Sequence, residues 1–499
     1  MKKLIFKTIL IVLFSVSFAG CDDYLDVNTP SDAVDLDALN LSDIMGPIML
    51  NTVYANYFAE TAFGNYTQYF SDYGNLALGL TSASSAWSNI FTKVLPNIKV
   101  VRDKANQNGA LHYEAVAKIL EAINVSFAVE TWGDIPYSQS GKPFEFPNPI
   151  LDDGQQVYNQ ALTLLNEAII TLEGNDPSLI TMGAEDVIYG GDFDKWLRAA
   201  YTFKARMQLK MIKNGGTTAA DVLTSIENGF TSNGDDFQLP HPEGKLNPFY
   251  SNMISRNTSN AHREPNDQLI SMMNGVTYPF ESGIISIDPR LPAIYAKLTG
   301  FNPDNPAPET EPWRAPLNGG GGESSDGGTV NTYYKTGGFH TGEQSPLIIV
   351  TYAEAMFIKA EAAFLANGGT TTSVSSTAEA YQAYMAGITA NMAKIGIDGS
   401  GYMADAVVNV GEEGLMLNHI MKEKYIANIH NTETFNDMRR YNFSSEVFKD
   451  LALRLEEDSE SEFEGEWFRR AIYPLSEADA NPNIEYNESS SITSIWLFQ

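Results

Sequence analysis

The stretch 345–369, SPLIIVTYAEAMFIKAEAAFLANGG, constrains the fold more than any other part of this sequence. Its apolar residues recur every three or four positions, as on one face of an α-helix. Thr351 followed by Glu354 is the pattern of an N-terminal capping box, and Gly368–Gly369 is that of a helix end. Small alanines flank the apolar stripe, so neighbouring helices can approach from more than one side. We therefore predict a central helix of an all-α core.

Further segments show the same helical periodicity. The predicted helices span 44–70, 84–105, 111–131, 155–172, 193–213, 381–395, 415–429 and 435–441. Pro96 lies inside the second of them, where it predicts a kink or a break. Asp153 and Asp192 are placed to cap two helices that we expect to form a hairpin. Helix pairs of this length favour tetratricopeptide-like packing, although no repeat of fixed period proves it.

The pattern changes between 230 and 344, where helical periodicity is mostly lost and Gly, Pro, Asn and Asp dominate. A structureless loop of this length is unusual in a compact domain. We therefore predict a single domain over 41–499 in which 230–344 is a loop-rich insertion with short elements of its own. It would pack on one side of the helical scaffold. After 444 the chain becomes acidic, and we expect loops and an extended closing segment.

The N-terminus has the charged, apolar and small-residue parts of a signal peptide. Three lysines precede the apolar run 9–18, and Ala19-Gly20 follows it. Cys21, the only cysteine, comes directly after this pair, where a lipoprotein signal needs a thiol to carry the lipid. We predict a signal peptide at 1–20, lipidation of Cys21 by groups such as palmitate, and a tether at 21–40. The alternative is an ordinary signal peptide that happens to precede a cysteine.

The composition is strongly acidic, with 62 acidic against 32 basic residues and a net charge of −30. The predicted signal peptide contains three of the lysines and no acid, so the rest of the chain is more acidic still. Such a surface argues against nucleic acid as a partner and against anionic membranes as a binding surface for the folded body. One cysteine also excludes an internal disulfide, so stability has to come from the core.

Motifs for catalysis, metals and cofactors are not found. The six histidines are scattered, and the chain contains no H-E-x-x-H, G-x-S-x-G or P-loop pattern. We therefore predict no catalytic residue, no metal and no cofactor. The many acids leave open a carboxylate pair of the glycosidase type. We interpret the cluster of Asp437, Arg439 and Arg440, near Glu433, as structural ion pairs.

Aromatic residues in polar segments are the best candidates for a binding site. An aromatic face beside amide or guanidinium groups suits a sugar ring, which has an apolar face and a hydroxyl rim. The predicted ligand-binding residues are Tyr73, Trp87, Trp313 and Tyr333. Asn252 and Arg256 are the weakest candidates. The alternative for each aromatic residue is that it pins the insertion to the scaffold, and Trp87, at the start of a helix, could serve either purpose.

Four stretches resemble, in the same order, the SusD/RagB family of nutrient-binding outer-membrane lipoproteins. They are ETWGDIPYSQS (130–140), YAEAMFIKAEAAF (352–364), ETFNDMRRYN (433–442) and AIYPLSEADANPN (471–483). The resemblance implies a tetratricopeptide-like scaffold, and the acids that follow Cys21 are similar to the signal that sends lipoproteins to the cell exterior. It also implies a lid on a TonB-dependent transporter of the SusC type.

The resemblance leads us to expect a surface-exposed, lipid-anchored protein of the outer membrane. It would bind an oligosaccharide, or a peptide, and deliver it to the transporter without catalysis. Two other classes stay open: a lipid-anchored glycoside hydrolase and a tetratricopeptide-like module that binds peptides or proteins.

Overall fold

A computed structural model describes residues 38–72, 80–254, 263–300, 302–318, 323–453, 463 and 465–499. The predicted signal peptide, Cys21 and nearly all of the tether lie outside these described residues. The boundaries at 20 and 40 and the lipidation of Cys21 therefore stay predictions.

Helices dominate the described residues, as the sequence predicts. They are α1 (Leu41–Phe63), α2 (Ser84–Ser88), α3 (Leu95–Asn108), α4 (Leu111–Trp132), α5 (Gly154–Glu173), α6 (Phe193–Met211), α7 (Ala219–Ile226), α8 (Asp267–Met273), α9 (Leu291–Ile294), α10 (Tyr352–Ala366), α11 (Ala378–Ile395), α12 (Ser400–Ala404), α13 (Leu417–Ala427), α14 (Glu433–Arg440) and α15 (Leu475–Ala480). The predicted all-α class is confirmed. In the part of the chain that the structure describes, no helix is long and apolar enough to cross a membrane.

The central helix α10 lies where the sequence predicts it. The Thr351 hydroxyl accepts a hydrogen bond from the backbone N–H of Glu354 at 3.0 Å, which caps the helix. The chain leaves the helix through Gly368 at φ +79°, a conformation that glycine adopts without strain. The helix packs against α6, α7, α11 and α13, so it is covered on several sides. The Glu354 side chain does not complete a capping box, because its carboxylate pairs with the Arg206 guanidinium at 2.9 Å.

The predicted helix 84–105 is divided into three parts. The short helix α2 continues into the π-helical segment Asn89–Val94, and α3 then begins with Pro96 in its first turn. Proline is tolerated there because the first turn does not use its missing N–H. The helical backbone is not interrupted at Pro96; instead the π-helical segment changes to α-helix there.

Helices that follow one another in the chain pack as neighbours. The contacting pairs are α3 with α4, α4 with α5, α5 with α6, α6 with α7, and α10 with α11. The predicted caps are present: Asp153 accepts a hydrogen bond from Gln156 N at 2.9 Å, and Asp192 accepts one from Lys195 N at 3.1 Å. The predicted hairpin of α5 and α6 is confirmed, and it belongs to a scaffold of helix pairs.

The described residues contain six short strands in three antiparallel pairs, two of which join the insertion to the scaffold. The strands are β1 (Phe70–Asp72), β2 (Phe237–Leu239), β3 (Arg263–Pro265), β4 (Tyr295–Lys297), β5 (Thr332–Tyr334) and β6 (Leu347–Val350). β1 pairs with β3, β2 pairs with β6, and β4 pairs with β5. Two of these pairs have one strand in the insertion and one outside it. Ser71 lies opposite Glu264 in the first, and Phe237 lies opposite Val350 in the second.

The first and last thirds of the chain meet in the core. Predicted helix 44–70 ends earlier than expected, at Phe63, and the chain turns before β1. In that turn the Tyr69 hydroxyl donates to the backbone oxygen of Tyr425 at 2.7 Å, and the two rings stack with centroids 4.7 Å apart. The predicted extended closing segment is wrong. The chain ends in 3-10 turns, because Leu497 and Phe498 are buried against the scaffold.

Candidate functional site

The predicted binding residues of the insertion lie in one region. The Arg314 backbone oxygen accepts hydrogen bonds from Asn331 N at 3.2 Å and Thr332 N at 3.0 Å. The segment that starts at Trp313 is thereby held beside β5, which contains Tyr333. The salt bridge from Arg314 Nε to Asp326 Oδ2, 2.8 Å long, braces the same segment from its other side. Trp313 and Tyr333 therefore share one part of the fold.

Trp313 keeps part of its indole accessible. Its side chain is half-buried, and the Lys297 ammonium lies 5.6 Å from the ring centroid. Its backbone oxygen accepts a hydrogen bond from the Asn274 side chain at 3.1 Å. The ring is thus anchored through its backbone, with a cation beside it. The ammonium already donates hydrogen bonds to the backbone oxygens of Pro308, Glu309 and Glu311, so the indole itself is the group that suits the apolar face of a sugar.

Tyr333 and Trp87 are covered more completely. Tyr333 is 6% exposed, packs with Leu298 and Val330, and donates a hydrogen bond from its hydroxyl to Val330 O at 3.3 Å. Trp87 is 2% exposed and packs edge-to-face on Trp132, with ring centroids 5.0 Å apart. This packing favours the structural alternative for both residues, and their predicted contact with ligand stays a prediction.

Tyr73 and Arg256 lie outside the described residues. The strand that leads to Tyr73, β1, is nevertheless paired with β3 of the insertion. The Arg263 guanidinium of β3 lies 4.4 Å from the centroid of the Phe70 ring of β1. The insertion therefore contacts the N-terminal part of the chain. A binding site that combines residues from these two parts would require this contact. Asn252, the other weak candidate, donates a hydrogen bond to the Tyr57 hydroxyl.

A network of buried charges lies between α4, α6, α10, α13 and α14. Its members are each at most 6% exposed: Arg206, Lys210, Lys424, Arg439, Arg440, Glu130, Glu354, Glu361, Glu433 and Asp437. Lys210 Nζ lies 2.8 Å from both Glu130 and Glu433, and Arg440 joins Asp437 at 2.6 Å. The predicted ion pairing of Asp437 with Arg440 is present and belongs to a larger network, whereas the Arg439 guanidinium donates to the backbone oxygens of Glu130 and Arg469.

The pKa values of Glu354 and Glu433 shift in opposite directions, because the two carboxylates differ in how many cations lie near them. Burial raises the pKa of Glu354 to about 7, because Arg206 only partly offsets the lost hydration. Burial also acts on Glu433, but Arg206 and Lys210 outweigh it and lower that pKa to about 2. Two carboxylates with separated pKa values can serve acid–base catalysis elsewhere. Here both are sealed in the core, where no glycosidic bond reaches them.

The burial of two acids on α10 was not predicted, although the sequence contains a signal for it. Glu354 and Glu361 are seven residues apart, so they lie on the same face of the helix. Both are fully buried. An acidic pair on a helix that is otherwise apolar and alanine-rich indicates buried cations nearby. Among the described residues, no group of three or more His, Cys, Asp or Glu side chains could hold a metal ion.

The fold and the site define an all-α scaffold of paired helices that presents an inserted, loop-rich face. A family model described as "Starch-binding associating with outer membrane" matches residues 35–474. The chain therefore belongs to the SusD-like family, whose members associate with the outer membrane. No curated protein matches the chain.

Solved structures show the same fold. A SusD/RagB family protein from Bacteroides thetaiotaomicron is 22% identical, with a TM-score of 0.68, over 92% of this chain and 99% of that one. A structure described as a chitin-binding protein is 21% identical, with a TM-score of 0.70, over 92% and 100%. A chitin-binding SusD homolog from Flavobacterium johnsoniae is 17% identical, with a TM-score of 0.69, over 92% and 98%.

Proposed function

We propose that this protein is a surface-exposed lipoprotein that binds a nutrient oligosaccharide and delivers it to a SusC-like, TonB-dependent transporter. The observation that carries the proposal is the family match over 35–474, in a family described as starch-binding and associated with the outer membrane. Two structures of the same fold are described as chitin-binding. Cys21 would carry the lipid, and the body would face the cell exterior.

The binding site that we propose lies where the insertion meets the N-terminal segment. Trp313 supplies a partly accessible ring, and the pairing of β1 with β3 joins the N-terminal part of the chain to the insertion. Tyr73, which follows β1 in the sequence, is the second aromatic residue that we propose for this site. The rings of Tyr333 and Trp87 are packed, so this proposal gives both residues structural roles. Loops on a rigid scaffold are a common location of binding residues.

The proposal includes no catalysis. The close carboxylate pairs of the charge network are buried and ion-paired, which supports a structural role for them. A glycosidase would need an accessible acid and a second carboxylate across the scissile bond. Binding by aromatic rings and polar loop groups needs neither.

The test is calorimetry on the mature protein with two sets of soluble oligosaccharides, from chitin and from starch. We expect measurable affinity for one set and no new reducing ends after long incubation. Reducing ends that increase with time would establish the hydrolase alternative. Affinity for a panel of short peptides, with none for either set of sugars, would establish the peptide-binding alternative.

A further inference from the structure

A polar cleft opens on the scaffold between α3, α4, α5 and the loop 137–142. Its volume is about 400 Å³, within the range of roughly 300–1,000 Å³ found for small-ligand sites. The cleft is lined by side chains and backbone of the helix pairs and the loop that joins them. It shares no lining residue with the aromatic residues predicted for ligand binding.

The back wall of the cleft is fixed by hydrogen bonds. Glu121 is buried, and its carboxylate forms an ion pair with Arg102 at 2.5 Å. The same carboxylate accepts a hydrogen bond from the Tyr137 hydroxyl at 2.6 Å. The loop is held by Asp152, which accepts hydrogen bonds from the backbone N–H groups of Tyr137 and Ser138, both at 2.8 Å. The Tyr137 ring is therefore oriented before any ligand arrives.

Four polar side chains that line the cleft have unused hydrogen-bonding capacity. They are Asn106, Ser140, Lys142 and Gln160. Within the described residues, none of these side chains makes a hydrogen bond or an ion pair to another protein group. The Lys142 ammonium is half-buried and lies 5.6 Å from the centroid of the Phe146 ring. Two amides, a hydroxyl and an ammonium thus converge on one cavity.

The charges of the lining favour an anion. Lys99, Arg102 and Lys142 are cations, whereas Asp103 and Glu121 are the acids. The lining is therefore net positive in a chain whose net charge is −30. Arg102 is neutralised by Glu121, and Lys99 lies 2.7 Å from Asp103, so Lys142 is the cation with no carboxylate partner among the described residues.

We propose that this cleft binds an acidic sugar of one or two rings, such as a uronic acid disaccharide. The Lys142 ammonium pairs with the sugar carboxylate. The amides of Asn106 and Gln160 and the hydroxyl of Ser140 bond the ring hydroxyls, and the half-buried Tyr137 ring offers a partly apolar wall. This cleft is separate from the binding face that we propose at the insertion. Binding in the cleft therefore does not depend on which oligosaccharide the insertion binds.

The test is calorimetric titration of the full protein with digalacturonate and with its neutral counterpart galactobiose. We expect digalacturonate to bind more tightly, and its affinity to fall as salt is added. Lys142→Ala should weaken that binding about tenfold, because a hydrogen bond to a charged group is lost. Gln160→Ala should weaken it less. Lys245→Ala, which removes an exposed lysine outside the cleft, is the matched control and should leave affinity unchanged.

Three outcomes would overturn the cleft site. The first is that digalacturonate does not bind. The second is that wild type and Lys142→Ala bind it equally and have the same melting temperature. The third is that an acidic dipeptide binds more tightly than digalacturonate. Trp313→Ala should retain digalacturonate binding. Loss of binding in that variant would place the acidic sugar at the insertion and would leave the proposed function standing.

Discussion

The two tryptophans Trp87 and Trp313 differ in how much of the indole is covered, and the difference predicts opposite effects of substitution. Trp87 is 2% exposed and contacts the rings of Trp132 and Tyr473. Trp87→Ala leaves a large cavity, so we expect the free energy of unfolding to fall by about 3–5 kcal/mol. Urea denaturation measures this loss. Phe144→Ala is the control, since that ring is fully exposed, and it should change stability by less than about 0.5 kcal/mol.

Trp313→Ala should instead weaken sugar binding and change stability little. Its indole is half-buried, and a stacking ring contributes on the order of 1–3 kcal/mol in comparable aromatic contacts with bases. Calorimetry with the oligosaccharide that the wild type binds measures the change, and a thermal melt is run beside it. Full affinity in Trp313→Ala, or a large loss of melting temperature without a binding defect, would assign this ring a structural role.

We expect Glu423 to stabilise the folded protein at neutral pH and to lose this effect in acid. It is buried in α13, where Lys422 and Arg290 outweigh the effect of burial and lower its pKa from 4.5 to about 2. A carboxyl whose pKa is lower in the folded than in the unfolded protein stabilises above the unfolded pKa. That stabilisation, on the order of 3 kcal/mol, is lost as the pH falls from about 4.5 through 2.

Glu423→Gln tests this contribution. The variant should be about 3–5 kcal/mol less stable than wild type at pH 7, because Arg290 loses its 2.7 Å partner in the core. The difference in the free energy of unfolding between wild type and Glu423→Gln should become smaller as the pH approaches 2. Glu412→Gln, at an exposed acid, is the matched control and should follow the wild type throughout. A constant difference at every pH would mean that Glu423 has an ordinary pKa in the folded protein.

At the scale of elements, helix ends are the features that local sequence specified best. Asp153, Asp192 and Thr351 all cap the helices that they were predicted to cap. Caps and Pro96 act within one turn of chain, so local sequence contains the whole cause. The strand pairs could not be predicted this way. β1 and β3 are three-residue strands almost two hundred positions apart, and nothing in either one specifies its partner.

The candidate site also contains features that local sequence specifies and features that depend on distant parts of the chain. Trp313 and Tyr333 were both selected because they lie in polar segments, yet Trp313 is half-buried whereas Tyr333 is 6% exposed. Trp87 was ambiguous, because its partner Trp132 comes from another helix and its burial depends on how those helices pack. The polar cleft was not anticipated, although Tyr137 and Ser140 belong to the stretch ETWGDIPYSQS that carried the family resemblance.

Thr351→Ala should destabilise the central helix at its first turn. The hydroxyl accepts the N–H of Glu354, and loss of such a cap costs about 0.5–2 kcal/mol. Equilibrium denaturation measures the change, with Thr372→Ala, at an exposed loop position, as the control. Equal stability of the two variants would show that the preceding strand β6 positions α10 without help from the cap.

At the scale of the whole molecule, the proposed anchor depends on one atom, the Cys21 thiol. Cys21→Ser cannot accept the lipid, so we expect the protein to leave the outer-membrane fraction or to retain its signal peptide. Fractionation and the mass of the mature N-terminus report the result. Ser17→Ala, inside the predicted signal peptide, keeps the thiol and should fractionate as wild type does. Membrane recovery of Cys21→Ser with a normal mature mass would exclude lipidation.

The proposed transporter should be recovered together with this protein from native membranes. A lid on a barrel buries a broad surface, in or above the standard range of about 1,600 Å². Because this body is strongly acidic, the outer face of the transporter should carry basic or neutral patches. Affinity purification in mild detergent, followed by mass spectrometry, identifies the partner. Repeated recovery of this protein without a transporter would contradict the pairing.

The meeting of Tyr69 with Tyr425 has a consequence for the timing of folding. The two residues are 356 positions apart, and each supplies part of the other's buried surroundings. At roughly 5–20 residues per second, a ribosome takes about 20–70 s to make the chain between them. The first helices therefore exist for that time without the partners that complete their core. A protein built in this way stays open until nearly all of it has been synthesised, which fits the export across a membrane before folding that we propose for this chain.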